Sequence, residues 1–176
     1  MRIISGKYKS RRFKVPAGFK ARPTTDFARE SLFNILNNTL DWENTNALDL
    51  FSGTGSIAFE LVSRGCPRVV SVEQKGQHHG FICSVIDKLE TDAVWPLKMD
   101  AFKYLKSAFE KFDFIFADPP YHLKTIHKIP ELVFEKELLK PGGLFILEHG
   151  KNDDFSQHER FVNMRTYGSV HFSFFE

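Results

Sequence analysis

The residues with the most chemistry to offer lie in the stretch 115–122, IFADPPYH. A short apolar run ends in the carboxylate of Asp118, Pro119 and Pro120 then deny the chain two ladder N–H groups, and Tyr121 follows. An acid, a rigid corner and a ring suit one task well. An exocyclic amine on an aromatic base is a poor nucleophile because its lone pair is delocalised. Asp118 accepting from the NH2, with the Pro119 carbonyl held beside it by the Pro119–Pro120 corner, favours the pyramidal geometry of attack and offsets the charge that develops. Tyr121 can stack on the base, an interaction worth roughly 1–3 kcal/mol in nucleic-acid complexes. Positioning then carries much of the catalysis, and a strong general base is not required. The plainer alternative is a strand-capping acid followed by a proline loop.

A second set lies upstream. DLFSGTGS (49–56) places Gly53 and Gly55 in a strand-to-helix turn, where glycine lets the backbone approach a ligand and take positive φ. Glu73 ends RVVSVE, 20 residues beyond Gly53, where it can accept from both hydroxyls of a ribose. To this point a nicotinamide dinucleotide fits as well as any adenosine compound. Asp49, however, would repel a pyrophosphate and welcome an ammonium or sulfonium. Asp100 adds an acid placed to accept from an adenine amino group, and the third fingerprint position is Ala58. Adenosine with positive charge and no phosphate describes S-adenosylmethionine, which leaves S-adenosylhomocysteine after transfer.

The elements that must position these groups follow from periodicity. ALDLF (47–51), RVVSVE (68–73), VWPLKM (94–99), FDFIFAD (112–118) and LFILE (144–148) predict strands. TTDFARESLFNIL, IAFELVSRG, residues 77–90, AFKYLKSAF and TIHKIPELVFEKELL predict helices, the last interrupted at Pro130; Thr24 or Thr25 can cap the first. FVNMRTYG and SVHFSFF predict a terminal hairpin. Strands alternating with helices imply an α/β fold with a mainly parallel sheet covered on both faces, whose ligands sit beyond the carboxyl ends of the strands. Asp49, Glu73, Asp100 and Asp118 should therefore converge.

Composition bounds the rest. At 176 residues, 42% apolar and 26% charged, the chain is most simply one globular domain. No run reaches the ~18 apolar residues of a membrane span and the N-terminus lacks a signal peptide's apolar core, so a cytoplasmic protein without a membrane partner is expected. Cys66 and Cys83 stand alone, as reduced thiols without metal or redox spacing. The net charge of +2 hides a basic block, Arg2 to Arg22, that precedes the first acid, Asp26. RIISG, GKYKS and RRFKVP predict two short strands of a basic hairpin, with Arg11, Arg12 and Lys14 as phosphate-contact candidates.

Taken in order, MRIISGKYKSRRFKVP, RPTTDFARESLFNIL, LDLFSGTGSIAFELVSRG and DPPY resemble the RsmD family of bacterial 16S rRNA guanine-N2 methyltransferases. The resemblance covers nearly the whole chain. It implies a class I Rossmann-like methyltransferase fold: a mainly parallel seven-stranded sheet with a terminal antiparallel hairpin and a small N-terminal β-hairpin extension. It implies one domain over 1–176, with 1–22 as the extension and 23–176 as the catalytic core. Phe51, Gly53 and Gly55 would line the cofactor loop, Glu73 would hold the ribose, and Asp100 with Ala101 would face the adenine. Asp118, Pro119 and Tyr121 would hold the target guanine, at position 966 in the family. Arg22, Thr24 and Thr25 match the RPTTD signature and would approach the pocket. The implied partner is 16S rRNA in an assembled or assembling 30S subunit, met by a monomer without a metal. Residues 74–92 depart from the family's pattern, and Gln74 is the candidate to stack on adenine.

His78 and His79 adjoin without a third ligand at metal spacing and are expected as surface residues. His122, Lys124, Lys128 and Arg165 are expected on solvated surface. Three other functions stay open: an adenine-N6 or protein-glutamine amino methyltransferase, a nicotinamide-dependent oxidoreductase, and a non-catalytic RNA-binding assembly factor.

Overall fold

The computed structural model describes residues 1–19 and 26–176. Seven strands form one sheet: β1 (Asn46–Leu50), β2 (Arg68–Val72), β3 (Val94–Leu97), β4 (Phe112–Ala117), β5 (Leu139–His149), β6 (Phe161–Tyr167) and β7 (Val170–Phe175), in the order β3-β2-β1-β4-β5-β7-β6. The first five in that order run parallel, while β7 is antiparallel to both β5 and β6. Among the described residues, α1 (Asp26–Leu36) precedes β1, and α2 (Ser56–Arg64), α3 (Gly76–Leu89), α4 (Ala101–Ser107) and α5 (Lys128–Glu135) connect the parallel strands. The strand order reverses between β1 and β4, and in sheets of this kind the ligand crevice lies beyond the carboxyl ends of the strands at that switch point.

Strands buried on both faces supply two cores. Phe114, Phe116, Ile146 and Phe172 face α1, α2 and α3, packing with Leu32, Phe33, Phe59 and Ile82. Ile115, Phe145, Leu147 and Phe175 face the other way, onto Leu105 of α4, Ile129 and Val133 of α5, and Phe155. Many of the largest buried side chains are phenylalanines, each contributing about 1.5–3 kcal/mol by burial. Among the described residues, no helix is long and apolar enough to cross a membrane.

The N-terminal hairpin is shorter than its sequence suggests. It has a single bridge, Arg2 to Arg12, flanked by backbone bonds such as Ser10 N–H to Ile3 O at 3.0 Å. The N–H groups of the intervening loop turn instead to α2. Ile4 and Ser5 donate to the carboxylate of buried Glu60 at 2.7 and 3.0 Å, Lys7 to Ser63 O at 2.6 Å, and Tyr8 to Ser63 Oγ at 2.9 Å. Gly6 lies so close that an added Cβ would fall 1.7 Å from Ser63 O, and its φ is +78°. A loop whose amides bond a helix cannot extend a ladder.

Other boundaries shift for local reasons. α5 begins at Lys128, so Pro130 falls in the first turn, where a missing N–H breaks no helix bond. β5 starts at Leu139, five residues before the expected LFILE strand, with an irregular register opposite Phe112–Phe114. The expected caps Thr24 and Thr25 lie outside the described residues.

Candidate active site

β1 carries Asp49 into the middle of the sheet, opposite Ser71 of β2 and Phe116 of β4. The chain then turns sharply. Phe51 has φ +59°, a strained value for a non-glycine residue, and Gly53 and Gly55 follow at +56° and +72°. Gly55 N–H donates to Ser52 O at 2.7 Å, and a Cβ there would meet the Phe59 ring at 2.8 Å. The turn needs glycine for both reasons, and α2 starts directly after it.

Glu73, at the end of β2, braces this loop. Its two oxygens accept the N–H groups of Gly53 (2.9 Å) and Lys75 (2.7 Å), leaving a further lone pair on each for a ligand hydroxyl. Asp49 is buried, and its Oδ2 has no hydrogen-bond partner. Burial pushes its carboxyl up to about 7; the nearby Glu73 carboxylate adds to the rise, while donors from Ser52 and Ala58 oppose it. An unpartnered buried carboxylate oxygen beside a glycine turn matches a cationic ligand group. That is the ammonium of S-adenosylmethionine, so the residues present fit the cofactor expected from the sequence. Asp100 caps α4, accepting from Lys103 N–H at 2.9 Å, and Ala101 is buried beneath it. Phe51 meets Phe102 edge-on at 6.2 Å.

The other half of the crevice belongs to β4. Asp118 N–H donates to Leu50 O at 3.3 Å, which sets the half-buried acid against the end of β1. Pro119 is buried and Pro120 exposed, and Leu123 N–H closes a turn on Pro120 O at 2.8 Å. The Tyr121 hydroxyl donates to Glu148 Oε1 at 3.0 Å, and its ring lies over Gly150.

Asp49, Phe51, Gly53, Gly55, Glu73, Asp100, Ala101, Asp118, Pro119 and Tyr121 thus all lie along the carboxyl edge of the sheet. Gln74 is exposed just beyond Glu73, and Pro120 is exposed between Pro119 and Tyr121. Arg11, Arg12 and Lys14 are exposed; Arg11 donates to Lys88 O at 2.9 Å at the far end of α3, while Arg12 pairs with Arg2, whose guanidinium lies 3.6 Å from Asp26 at the start of α1. Arg22, Thr24 and Thr25 lie outside the described residues.

His78 departs from its expected surface position. It is buried in the first turn of α3, stacked on Phe19 at 4.1 Å, with Nδ1 3.7 Å from Glu73 Oε2. Phe19 lies past the predicted hairpin strands, so nothing local announced a ring over His78. Among the described residues, no cluster of metal-ligating side chains occurs. Glu148 was missed for another reason. It ends the predicted LFILE strand, and only the pairing of β4 with β5 brings it to Tyr121.

The mostly parallel sheet in this strand order, with acids at its strand ends, defines a Rossmann-like fold of the S-adenosylmethionine-dependent methyltransferase class. The family model described as conserved hypothetical protein 95 matches residues 1–176, and the chain belongs to that family, the RsmD family. Ribosomal RNA small subunit methyltransferase D of Buchnera aphidicola subsp. Baizongia pistaciae is 31% identical over 148 residues, spanning 84% of this chain and 75% of that protein. A solved structure of a hypothetical protein from Thermus thermophilus is 25% identical with a TM-score of 0.88, covering 100% of this chain and 99% of that one. The T. thermophilus 16S rRNA N2 guanine methyltransferase RsmC, solved with AdoMet and guanosine, shares the fold at 22% identity and a TM-score of 0.69. That match covers 89% of this chain and 44% of RsmC.

Proposed function

We propose that this chain transfers a methyl group from S-adenosylmethionine to the exocyclic N2 of a guanine in 16S rRNA, at the family's position 966. The observation that carries the proposal is the seat of Asp118. Its backbone donates to Leu50 O, so the carboxylate-bearing end of β4 adjoins the glycine loop that ends β1. Family membership and the name of the Buchnera relative support small-subunit rRNA as the substrate.

When bound, the cofactor supplies a methyl group made electrophilic by a sulfonium. Asp49 would hold the ammonium of its methionyl part, Glu73 its ribose, and Asp100 with Ala101 its adenine, with Gln74 as the outer stacking residue. On the acceptor side the base is flipped out of its stack. Asp118 and the Pro119 carbonyl would accept from the N2 amine, localising its lone pair, and Tyr121 would cover the face of the ring. The displaced amine proton leaves by way of Asp118. Arg22, Thr24 and Thr25 belong to this reading by their match to RPTTD alone. The enzyme acts as a monomer on assembled or assembling 30S particles, with residues 1–22 as a basic extension of a catalytic core over 23–176.

Incubation with methyl-labelled S-adenosylmethionine and undermethylated 30S particles tests the proposal. Nuclease digestion should release label as N2-methylguanosine. Label in N6-methyladenosine or in protein would move the acceptor assignment, and no transfer to any acceptor would remove it.

A further inference from the structure

The one carboxylate of the acceptor side that no motif announced is Glu148, and its setting is unusual. It occupies a buried position of β5, 2% exposed, between buried Leu147 and His149 and opposite Phe172 of β7. Leu144 and Ile146 precede it on the same face of the strand and belong to the core under α1. A leucine in register with them would pack there without desolvating a charge, whereas a buried carboxylate is costly unless its oxygens are engaged. Oε1 is engaged by the Tyr121 hydroxyl at 3.0 Å, across 27 residues of sequence. Tyr121 is 40% exposed: its ring lies over Gly150, with Cδ2 3.5 Å from where a Cβ would stand. The ring is thus fixed at its tip by an acid and at its root by the buried Pro119 and the turn on Pro120, and part of its surface stays open to solvent.

We infer that Glu148 is a positioning residue for the acceptor base: it locks the Tyr121 ring beside Asp118, so that the stacking surface exists before the nucleotide arrives. This rests on the methyl-transfer proposal above. Glu148 itself does not touch the base. It acts by removing the rotational freedom of Tyr121, a loss that the substrate would otherwise have to impose on binding.

The test uses the full chain and two independent readouts. In the first, 3-fluorotyrosine is incorporated and the Tyr121 fluorine resonance is assigned by its absence from Tyr121→Phe. Glu148→Leu should move that resonance toward the random-coil position, and Glu148→Gln, which keeps a carbonyl acceptor, should leave it near the wild-type position. The second readout is turnover on undermethylated 30S particles at saturating S-adenosylmethionine. Loss of one hydrogen bond predicts a roughly tenfold fall in kcat/KM for RNA in Glu148→Leu and in Tyr121→Phe. The double variant should be no worse than either single one, Glu148→Gln should recover activity to within about threefold, and cofactor Kd should stay within about twofold throughout.

An unmoved resonance in Glu148→Leu overturns the inference, as do additive losses in the double variant or wild-type kcat/KM in Tyr121→Phe. A fall in cofactor affinity that matches the fall in turnover also overturns it, since the residue would then support the fold at large. Should Glu148→Leu not fold, Tyr121→Phe and Glu148→Gln still decide. If the wild type methylates nothing, the proposed function fails, while the fluorine shifts still report whether Glu148 holds the ring.

Discussion

The two sides of the crevice are built by different means. On the donor side, Glu73 grips backbone amides of Gly53 and Lys75, and Asp100 caps its own helix. Each contact is made within a few residues of a strand end or between neighbouring strands, and each ties a side chain to main chain. On the acceptor side, Asp118 is half-buried, and the ring that accompanies it is held through a side-chain bond to another strand. Glu73 is thus held by two main-chain donors, whereas the Tyr121 ring is held at its tip by a bond to another side chain. Side-chain ties can be cut by one substitution without unfolding the loop. The separation predicts that the acceptor side can be disabled while the donor side still binds.

Asp118→Ala should give the largest effect. Removing one preorganised group that stabilises developing charge typically costs about 10²–10³ in turnover. The single-turnover rate on 30S particles should fall by at least that range, while calorimetric Kd for S-adenosylmethionine changes by less than about twofold. Equal losses in both would dissolve the distinction between the two sides.

Asp49 tests the donor side from the opposite direction. Its carboxyl stands at about 7 because burial disfavours the charged form. The folded value lies above the unfolded one, so the stability this group contributes is complete below about pH 4 and lost as pH rises to about 7. Asp49→Asn should therefore melt above the ligand-free wild type at pH 8, by up to about 4 kcal/mol in stability, with the gap closing toward pH 4. Cofactor binding should go the other way. A charge-assisted hydrogen bond is worth about 1.5–3 kcal/mol, so Kd should rise roughly 10- to 100-fold at pH 8. Wild-type affinity should strengthen from pH 6 to pH 8 as the carboxyl ionises, and the variant should lose that dependence. Equal pH profiles for the two proteins would detach Asp49 from the ammonium.

The same contrast explains what the sequence could disclose. That Asp118, Gly53, Gly55, Glu73 and Asp100 stand at strand ends was legible because each lies where an apolar run meets a turn. The five parallel strands were legible through their apolar runs, and β6 and β7 as a terminal hairpin. Glu148 was not, because its meaning depends on which strand neighbours β4. His78 looked like a surface histidine until the chain around Phe19 covered it. The N-terminal hairpin is shorter than the sequence suggests because sequence cannot show that the amides of its loop are satisfied by Glu60 and Ser63. Local backbone chemistry is written in contiguous residues, and side-chain pairings across the sheet are not.

Arg11, Arg12 and Lys14 have no proposed contact with cofactor or base, and their effect should be the smallest. Arg11 lies at Lys88, ten residues along α3 from His78 and so about 15 Å from the cofactor end of that helix. A phosphate touched by Arg11 would be remote from the flipped base, and this surface should contribute charge more than alignment. Removing one cation from a phosphate flattens the dependence of log K on log salt by about 0.7–0.9. Arg11→Ala, Arg12→Ala and Lys14→Ala combined should therefore reduce the slope for 30S binding by about 1–2, since part of the Arg11 guanidinium is already engaged by Lys88. The turnover number at saturating RNA should stay at the wild-type level. An unchanged slope would take this surface out of the RNA interface, and a fall in turnover would mean that the loop, through its bonds to α2, helps set the glycine turn where α2 begins.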